Sequence, residues 1–301
     1  MKVIYGISQI RKYRKPVVAL GVFDGVHCAH RIILKETVKI AQRIKGASVV
    51  ITFWPHPQKK DSLYSLEHRL RLIGELGIDA CIVMNFNQAF SGISAEDFIK
   101  DILIKKINTH YIYVGRNFRF GKNAKGDFRL LGRLSSVYNF KLKVFDVIKI
   151  NAQPVSSTYI RRLITKGDLS HAQRLLCKPV SVLGTVIKGI SLGKRLGFPT
   201  ANINPHHEVL PPQGVYAVKV IFKDKSLNGI CYIGTKPTFK PHPAKHIEVY
   251  IFNFNQNIYG KYLEILFIKK IRDERKFDSC GSLVRQIKND TAAVKKIFFP
   301  H

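Results

Sequence analysis

Two histidines three residues apart, His27 and His30, end the segment Gly21-Val22-Phe23-Asp24-Gly25-Val26-His27-Cys28-Ala29-His30. An apolar run, Val17–Val22, leads into the Phe23-Asp24-Gly25 turn, and a helical pattern follows over His30–Ile44. The pair therefore stands where a strand turns into a helix. Free amides and the dipole at a helix N-terminus favour anions. Imidazoles beside them can donate hydrogen bonds to a triphosphate as charge builds on a leaving pyrophosphate. A bare HxxH would read as two polar surface groups. The strand and turn ahead of it favour the phosphate reading, and no third ligand stands nearby for zinc.

Five further constellations are candidates for chemistry. Ser156-Ser157-Thr158 opens a helix with Arg161 and Arg162 in its first turn. Basic residues are unfavourable there unless they face an anion, and a plain cap with solvated arginines fits as well. Val114-Gly115-Arg116-Asn117-Phe118-Arg119-Phe120-Gly121-Lys122 interleaves glycines, aromatics and bases after a strand, which suits a flat aromatic ligand, a phosphate or a basic surface loop. Thr52-Phe53-Trp54-Pro55-His56-Pro57 follows another strand and could be a rigid turn. Gly184 to Asn202 holds four glycines and three bases. It is not a Walker A loop, because Arg195 stands where Ser or Thr is required. Thr200 and Asn202, two apart, present oxygens on one face of an extended chain, as Mg²⁺ prefers. Glu248 shares a strand face with Tyr250 and Phe252; it is either salt-bridged to a lysine or a proton acceptor in phosphoryl transfer.

The elements that hold these residues change character midway. Up to Cys177, strands at Ala47–Phe53, Asp79–Met84, Tyr111–Val114 and Leu142–Ile148 alternate with helices at Glu67–Leu76 and from Ser94 to Ile107. That alternation predicts a parallel sheet with chemistry in the loops after Val22, Phe53 and Val114. Past Val182, period-two patterns at Tyr216–Lys223, Ile247–Phe252 and Leu263–Phe267 predict an antiparallel barrel or sandwich, closed by a helix at Ser282–Ile297.

The chain has 301 residues, 46% hydrophobic and 23% charged, which excludes a disordered polymer and fits two domains. Its net charge is +30, with 31 basic against 12 acidic side chains in residues 1–180 and 19 against 8 in 181–301. Such an excess attracts polyanions. Its even spread fits solubility better than dedicated nucleic-acid binding. Five scattered cysteines without a CxxC pair exclude a disulfide framework and fit the cytoplasm. No apolar run reaches the ~18 residues of a membrane helix, and the first residues, MKVIYGISQIRKYRK, lack the pattern of a secretory signal.

In order along nearly the whole chain, these segments resemble the bifunctional bacterial riboflavin kinase/FMN adenylyltransferase family, also called FAD synthetases. The first half matches at Phe23-Asp24-Gly25…His27…His30, Thr52…Pro55-His56-Pro57, Val114 to Lys122 and Ser156 to Arg161. The second matches at Leu196-Gly197-Phe198-Pro199-Thr200-Ala201-Asn202, Gly214-Val215-Tyr216, Pro237-Thr238-Phe239, Glu248, Tyr259-Gly260 and Ile271-Arg272…Glu274…Lys276-Phe277. The resemblance implies a Rossmann-like α/β nucleotidyltransferase domain over 1–178 and a riboflavin kinase β-barrel with a C-terminal helix over 182–301. It implies ATP, Mg²⁺ and the flavins riboflavin, FMN and FAD as ligands; from hydropathy and the even charge spread, neither a membrane nor a nucleic-acid partner is expected.

By resemblance, His27 and His30 contact ATP phosphates, with Phe23, Asp24 and Gly25 at the same turn. Ser157, Thr158 and Arg161 close around the triphosphate, and flavin lies near Pro55, His56, Asn117, Phe118 and Gly121. In the barrel, Gly189, Gly193, Lys194 and Pro199 shape the nucleotide loop, Thr200 and Asn202 hold Mg-ATP, Glu248 is the base and Arg272 lies near flavin. The chain departs from the family at Ala29, usually Gly, Lys194, usually Arg, and Tyr232, usually Asn. It also departs at Asn253 and Asn257, where acidic residues are common. Ala29 adds a methyl that can crowd ATP; both activities are nonetheless expected to survive.

Overall fold

The computed structural model describes residues 1–55, 57, 62–189, 193, 196–235 and 245–300. The chain divides into two compact units, Met1–Ser157 and Thr158–His301. The division falls ahead of the change of pattern read at Cys177–Val182.

The first unit is built on a parallel sheet. Its strands are β1 (Lys2–Tyr5), β2 (Val17–Leu20), β3 (Ser48–Trp54), β4 (Ala80–Asn85), β5 (Tyr111–Gly115) and β6 (Lys141–Phe145), in the order β1-β4-β3-β2-β5-β6. Every pairing is parallel. The central strands are continuous apolar runs because both faces are covered; Val18, Val49, Ile51, Ile82, Ile112 and Val114 are fully buried. Strand β2 lies between β3 and β5, so the chain leaves it in one direction and later returns on its other side. That switch point opens a crevice at the carboxyl ends of β2 and β5, where such folds bind ligands. Helix Cys28–Arg43 lays Ile33, Leu34, Thr37, Ile40 and Ala41 on the sheet. The segment expected to be helical from Ser94 starts as an α-helix capped by the Ser94 hydroxyl. It then widens into π-helical turns over Phe98–Lys106, where the N–H of Ile107 reaches back five residues to the Ile102 carbonyl. A two-stranded ribbon, β7 (Lys149–Ile150) and β8 (Gln153–Pro154), precedes helix Ser157–Lys166.

The second unit is a closed antiparallel barrel. Its strands are β9 (Ser181–Ile187), β10 (Ala201–Asn204), β11 (Gly214–Phe222), β12 (Lys225–Thr235), β13 (Lys245–Ile251) and β14 (Tyr262–Arg272), in the order β10-β13-β12-β11-β14-β9. Closure removes the unpaired edges that a sandwich would leave. Val218, Val220, Ile233, Ile247, Val249, Leu263 and Ile265 are buried. Helix Cys280–Phe298 starts with a capping box between Ser279 and Ser282. It packs Val294 against Val215 and Ala217 of β11, Ile230 of β12 and Phe252, which follows β13.

Candidate active sites

In the first unit, a cavity of about 290 Å³ opens at the switch point. It is lined by the turn after β2, by Arg116, Asn117 and Phe118 after β5, and by Ser157. His27 caps helix Cys28–Arg43; its Nδ1 accepts the His30 N–H at 3.4 Å. Accepting at Nδ1 leaves the proton of a neutral ring on Nε2, available as a donor. The two imidazoles stack at 3.5 Å, and the Phe23 ring meets His30 edge-on at 5.2 Å. Burial lowers the His27 pKa to about 4. Burial, then His27 and the nearby Arg69 charge, holds His30 well below its ordinary value. Both rings are therefore neutral at pH 7. His30 Nδ1 is buried with no hydrogen-bond partner among the described residues, as suits a group awaiting a ligand.

The turn before them is held in unusual backbone. Phe23, Gly25 and Val26 all take positive φ, 52°, 84° and 40°. A β-branched residue there is strained, and such strain gathers at functional sites. Asp24 lines the cavity; its carboxylate accepts the backbone N–H groups of Leu63 and Tyr64 at 3.0 and 3.3 Å, while its carbonyl accepts the Ser157 hydroxyl at 2.8 Å. Gly25 serves the same clamp, since a Cβ there would lie 2.6 Å from Leu63 Cδ1. Gly121 is likewise pressed against Ala95 and is absent from the cavity lining, as is Pro55. Thr158 and Arg161 follow Ser157 on their helix, in the second compact unit. His56 lies outside the described residues. Ala29 lines the cavity from the first turn of a helix, where alanine carries no backbone penalty.

Sequence reasoning missed Arg69. It is fully buried on helix Leu66–Gly74 and donates from Nη1 to the Val22 carbonyl at 2.6 Å, bracing the strand end that leads to the histidines. Its guanidinium also lies 5.4 Å from the Trp54 ring. The available signal was an arginine in register with the apolar stripe Leu66, Leu70 and Ile73.

In the second unit, a cavity of about 330 Å³ lies between the barrel wall and helix Cys280–Phe298. Thr200, Asn202, Glu248, Arg272 and Gly193 line it together, so residues far apart in sequence converge. Glu248 is the register partner of Asn202 on one side and of Tyr232 on the other. One Glu248 oxygen accepts the Thr200 hydroxyl at 3.2 Å; the other lies 3.7 Å from His246 Nε2. The glycines are needed for close approach. A Cβ on Gly189 would lie 2.1 Å from the Asn202 amide, and one on Gly193 would lie 2.4 Å from the Phe198 carbonyl and 3.0 Å from the Thr200 hydroxyl. Oxygen donors from Thr200, Asn202 and Glu248 in such a cradle fit a magnesium–nucleotide complex.

Arg272 ends β14 and gives a bidentate hydrogen bond to Asp290, with Nε and Nη2 both near 3 Å. Pro199 is exposed and off the lining. Lys194 and the Pro237-Thr238-Phe239 motif lie outside the described residues. Asn253 occupies the left-handed region at φ 53°, and the Asn257 side chain accepts the Tyr259 N–H at 3.2 Å. Amide side chains suit both turns.

The chain matches the FAD synthetase family over residues 9–159 and the riboflavin kinase family over 176–298. It is 38% identical to the bifunctional riboflavin kinase/FMN adenylyltransferase of Buchnera aphidicola subsp. Schizaphis graminum, across 99% of both chains. It is 32% identical to the Escherichia coli K12 protein of the same name, across 99% of this chain and 98% of that one. A solved structure described as a macrolide-efflux protein from Streptococcus pneumoniae shares the fold at a TM-score of 0.83 and 28% identity, covering 98% of this chain and 99% of that one.

Proposed function

The chain belongs to the bifunctional riboflavin kinase/FMN adenylyltransferase family, and we propose that each of its two cavities serves one of the family's reactions. It phosphorylates riboflavin with ATP to FMN and ADP, and it adenylylates FMN with a second ATP to FAD and pyrophosphate. We assign the second reaction to a domain of residues 1–178 and the first to residues 182–301. One observation carries this division: each cavity holds the groups its own reaction needs, neutral imidazoles at a helix N-terminus in one and a carboxylate against a hydroxyl in the other.

In adenylyl transfer, an FMN phosphate oxygen attacks the α-phosphorus of ATP and the bond to the β-phosphate oxygen breaks. The protein needs no base here, because the nucleophile is already an anion. His27 and His30 donate hydrogen bonds to the phosphate oxygens as charge moves onto pyrophosphate, joined by the positive end of the helix dipole. Neutral donors suit a site that must also release a pyrophosphate anion. Ser157, Thr158 and Arg161 are assigned to the triphosphate, and Asn117 and Phe118 to the flavin side.

In phosphoryl transfer, the ribityl 5′-hydroxyl attacks the γ-phosphorus and ADP leaves. Glu248 orients that hydroxyl and takes its proton. Thr200 and Asn202 would hold Mg²⁺ with the ATP phosphates, and the ion would supply positive charge to the transferring group. The tight packing of Gly189 and Gly193 fixes both side chains for that task.

The test is to incubate the protein with riboflavin, ATP and Mg²⁺, or with FMN in place of riboflavin, and to separate the flavins by chromatography. FAD is expected from both. His30→Ala should stop the first mixture at FMN, and Glu248→Ala should leave riboflavin unphosphorylated while FMN still gives FAD. FMN without FAD in the unaltered protein would reject the assignment of the first cavity.

A further inference from the structure

We propose that Tyr232 is a positioning residue for riboflavin: its hydroxyl fastens the segment after β14, residues 273–279, to the barrel wall and so shapes the flavin side of the kinase cavity. This rests on the reading of that cavity as the riboflavin kinase site. Tyr232 lies on β12 directly opposite Glu248 on β13, and both side chains line the cavity. Its hydroxyl donates to the carboxylate of Glu274. Burial and that bond raise the Tyr232 pKa, so the phenol keeps its proton and remains a donor through neutral pH.

The seat of the ring is built for it. A Cβ on Gly234 would lie 2.2 Å from the Tyr232 hydroxyl oxygen and 2.5 Å from Cζ, so the ring crosses a position that only glycine leaves open. The His246 ring forms its side wall at 5.4 Å and 71°. The other ties of the segment run elsewhere. Arg272, at its root, is held by Asp290 of the C-terminal helix; Arg275 donates to Gln286 of the same helix at 3.1 Å. The Phe277 ring has the guanidinium groups of Arg272 and Arg275 at 5.8 and 5.1 Å. Among the described hydrogen bonds, Tyr232 to Glu274 is the one that joins this segment to the wall of β12 and β13. An asparagine at this position would have a side chain too short to make the same reach.

Because the clasp joins two protein groups, its loss is expected to act on flavin binding and to spare the chemical step. A hydrogen bond to a charged partner is lost in Tyr232→Phe, which keeps the ring. In the full chain, the KM for riboflavin and the Kd for riboflavin by titration calorimetry should both rise roughly tenfold. The kinase kcat should stay within about twofold, and the KM for ATP and the rate of FMN adenylylation should not change. Tyr232→Asn should do the same. Glu274→Gln, which keeps an acceptor oxygen, should give a smaller rise and serves if the tyrosine variants fold poorly. Wild-type KM values in Tyr232→Phe and Glu274→Gln would overturn the clasp, as would a fall in kcat with KM unchanged. Glu248→Ala assayed alongside separates the two readings: if it phosphorylates riboflavin at the wild-type rate, the cavity is not the kinase site and the proposal falls with it.

Discussion

At the scale of single residues, burial decides what each titratable group can do. His27 is neutral because its pKa has dropped from 6.5 to about 4 by desolvation. The unfolded chain takes up this proton first as pH falls, so the stability present above pH 6.5 is lost as pH falls toward 4. The loss is about 2 kcal/mol by pH 5, and His30 adds to it in the same direction. Calorimetry should show the transition of the first unit several degrees lower at pH 5 than at pH 7, with a flatter pH dependence in His27→Gln. Arg69 is a buried cation bracing the Val22 carbonyl. Arg69→Met should slow FMN adenylylation by tenfold or more and leave riboflavin phosphorylation intact, measured from each flavin separately. The histidines, Thr200, Asn202 and Glu248 were legible in sequence because their spacing against a strand or helix start fixes their direction. Asp24 lines the cavity and also holds its own turn, Gly25 packs that turn against Leu63, and Gly121 packs against Ala95. A sequence shows that a turn needs glycine or aspartate without showing what the turn must touch. Arg69 was hidden because nothing in its own helix shows which carbonyl it will meet.

Elements were legible where periodicity was strong. The apolar runs of β2, β3, β4 and β5, helix Cys28–Arg43 and the alternating strands β11 and β13 all follow the pattern expected of them. Strand β1 went unread because four residues at a sheet edge are too short to show a period. Helix Phe128–Val137 was likewise unread, and the π-helical widening after Phe98 has no compositional mark. Closure of the barrel depends on the pairing of β9 with β10 and β14, contacts distant in sequence that alternation alone leaves undecided between barrel and sandwich. The loop from β9 to β10 gives a prediction at this scale. Gly189→Ala places a methyl where the Asn202 amide sits. It should cut riboflavin phosphorylation at least tenfold by displacing that amide, while FMN adenylylation is unchanged; near-normal kinase rates would show that Asn202 is dispensable.

For the whole molecule, +30 of net charge is spread over both units, and no helix among the described residues is long and apolar enough to cross a membrane. Diffuse charge gives weak, salt-sensitive attraction to any polyanion. Labelled RNA should be held on a filter at low salt and released by roughly 200 mM salt, with FAD formation unaffected by competitor RNA. Retention at high salt would mean a dedicated surface.

The chain contains one tryptophan, and it is Trp54, at the end of β3 under the Arg69 guanidinium. All indole emission therefore originates in the unit Met1–Ser157, and the barrel contributes none. In a denaturant titration, the emission maximum follows the nucleotidyltransferase half alone, whereas far-ultraviolet ellipticity follows both. Any separation between the two curves reads out directly how far the two halves melt apart, with no label attached.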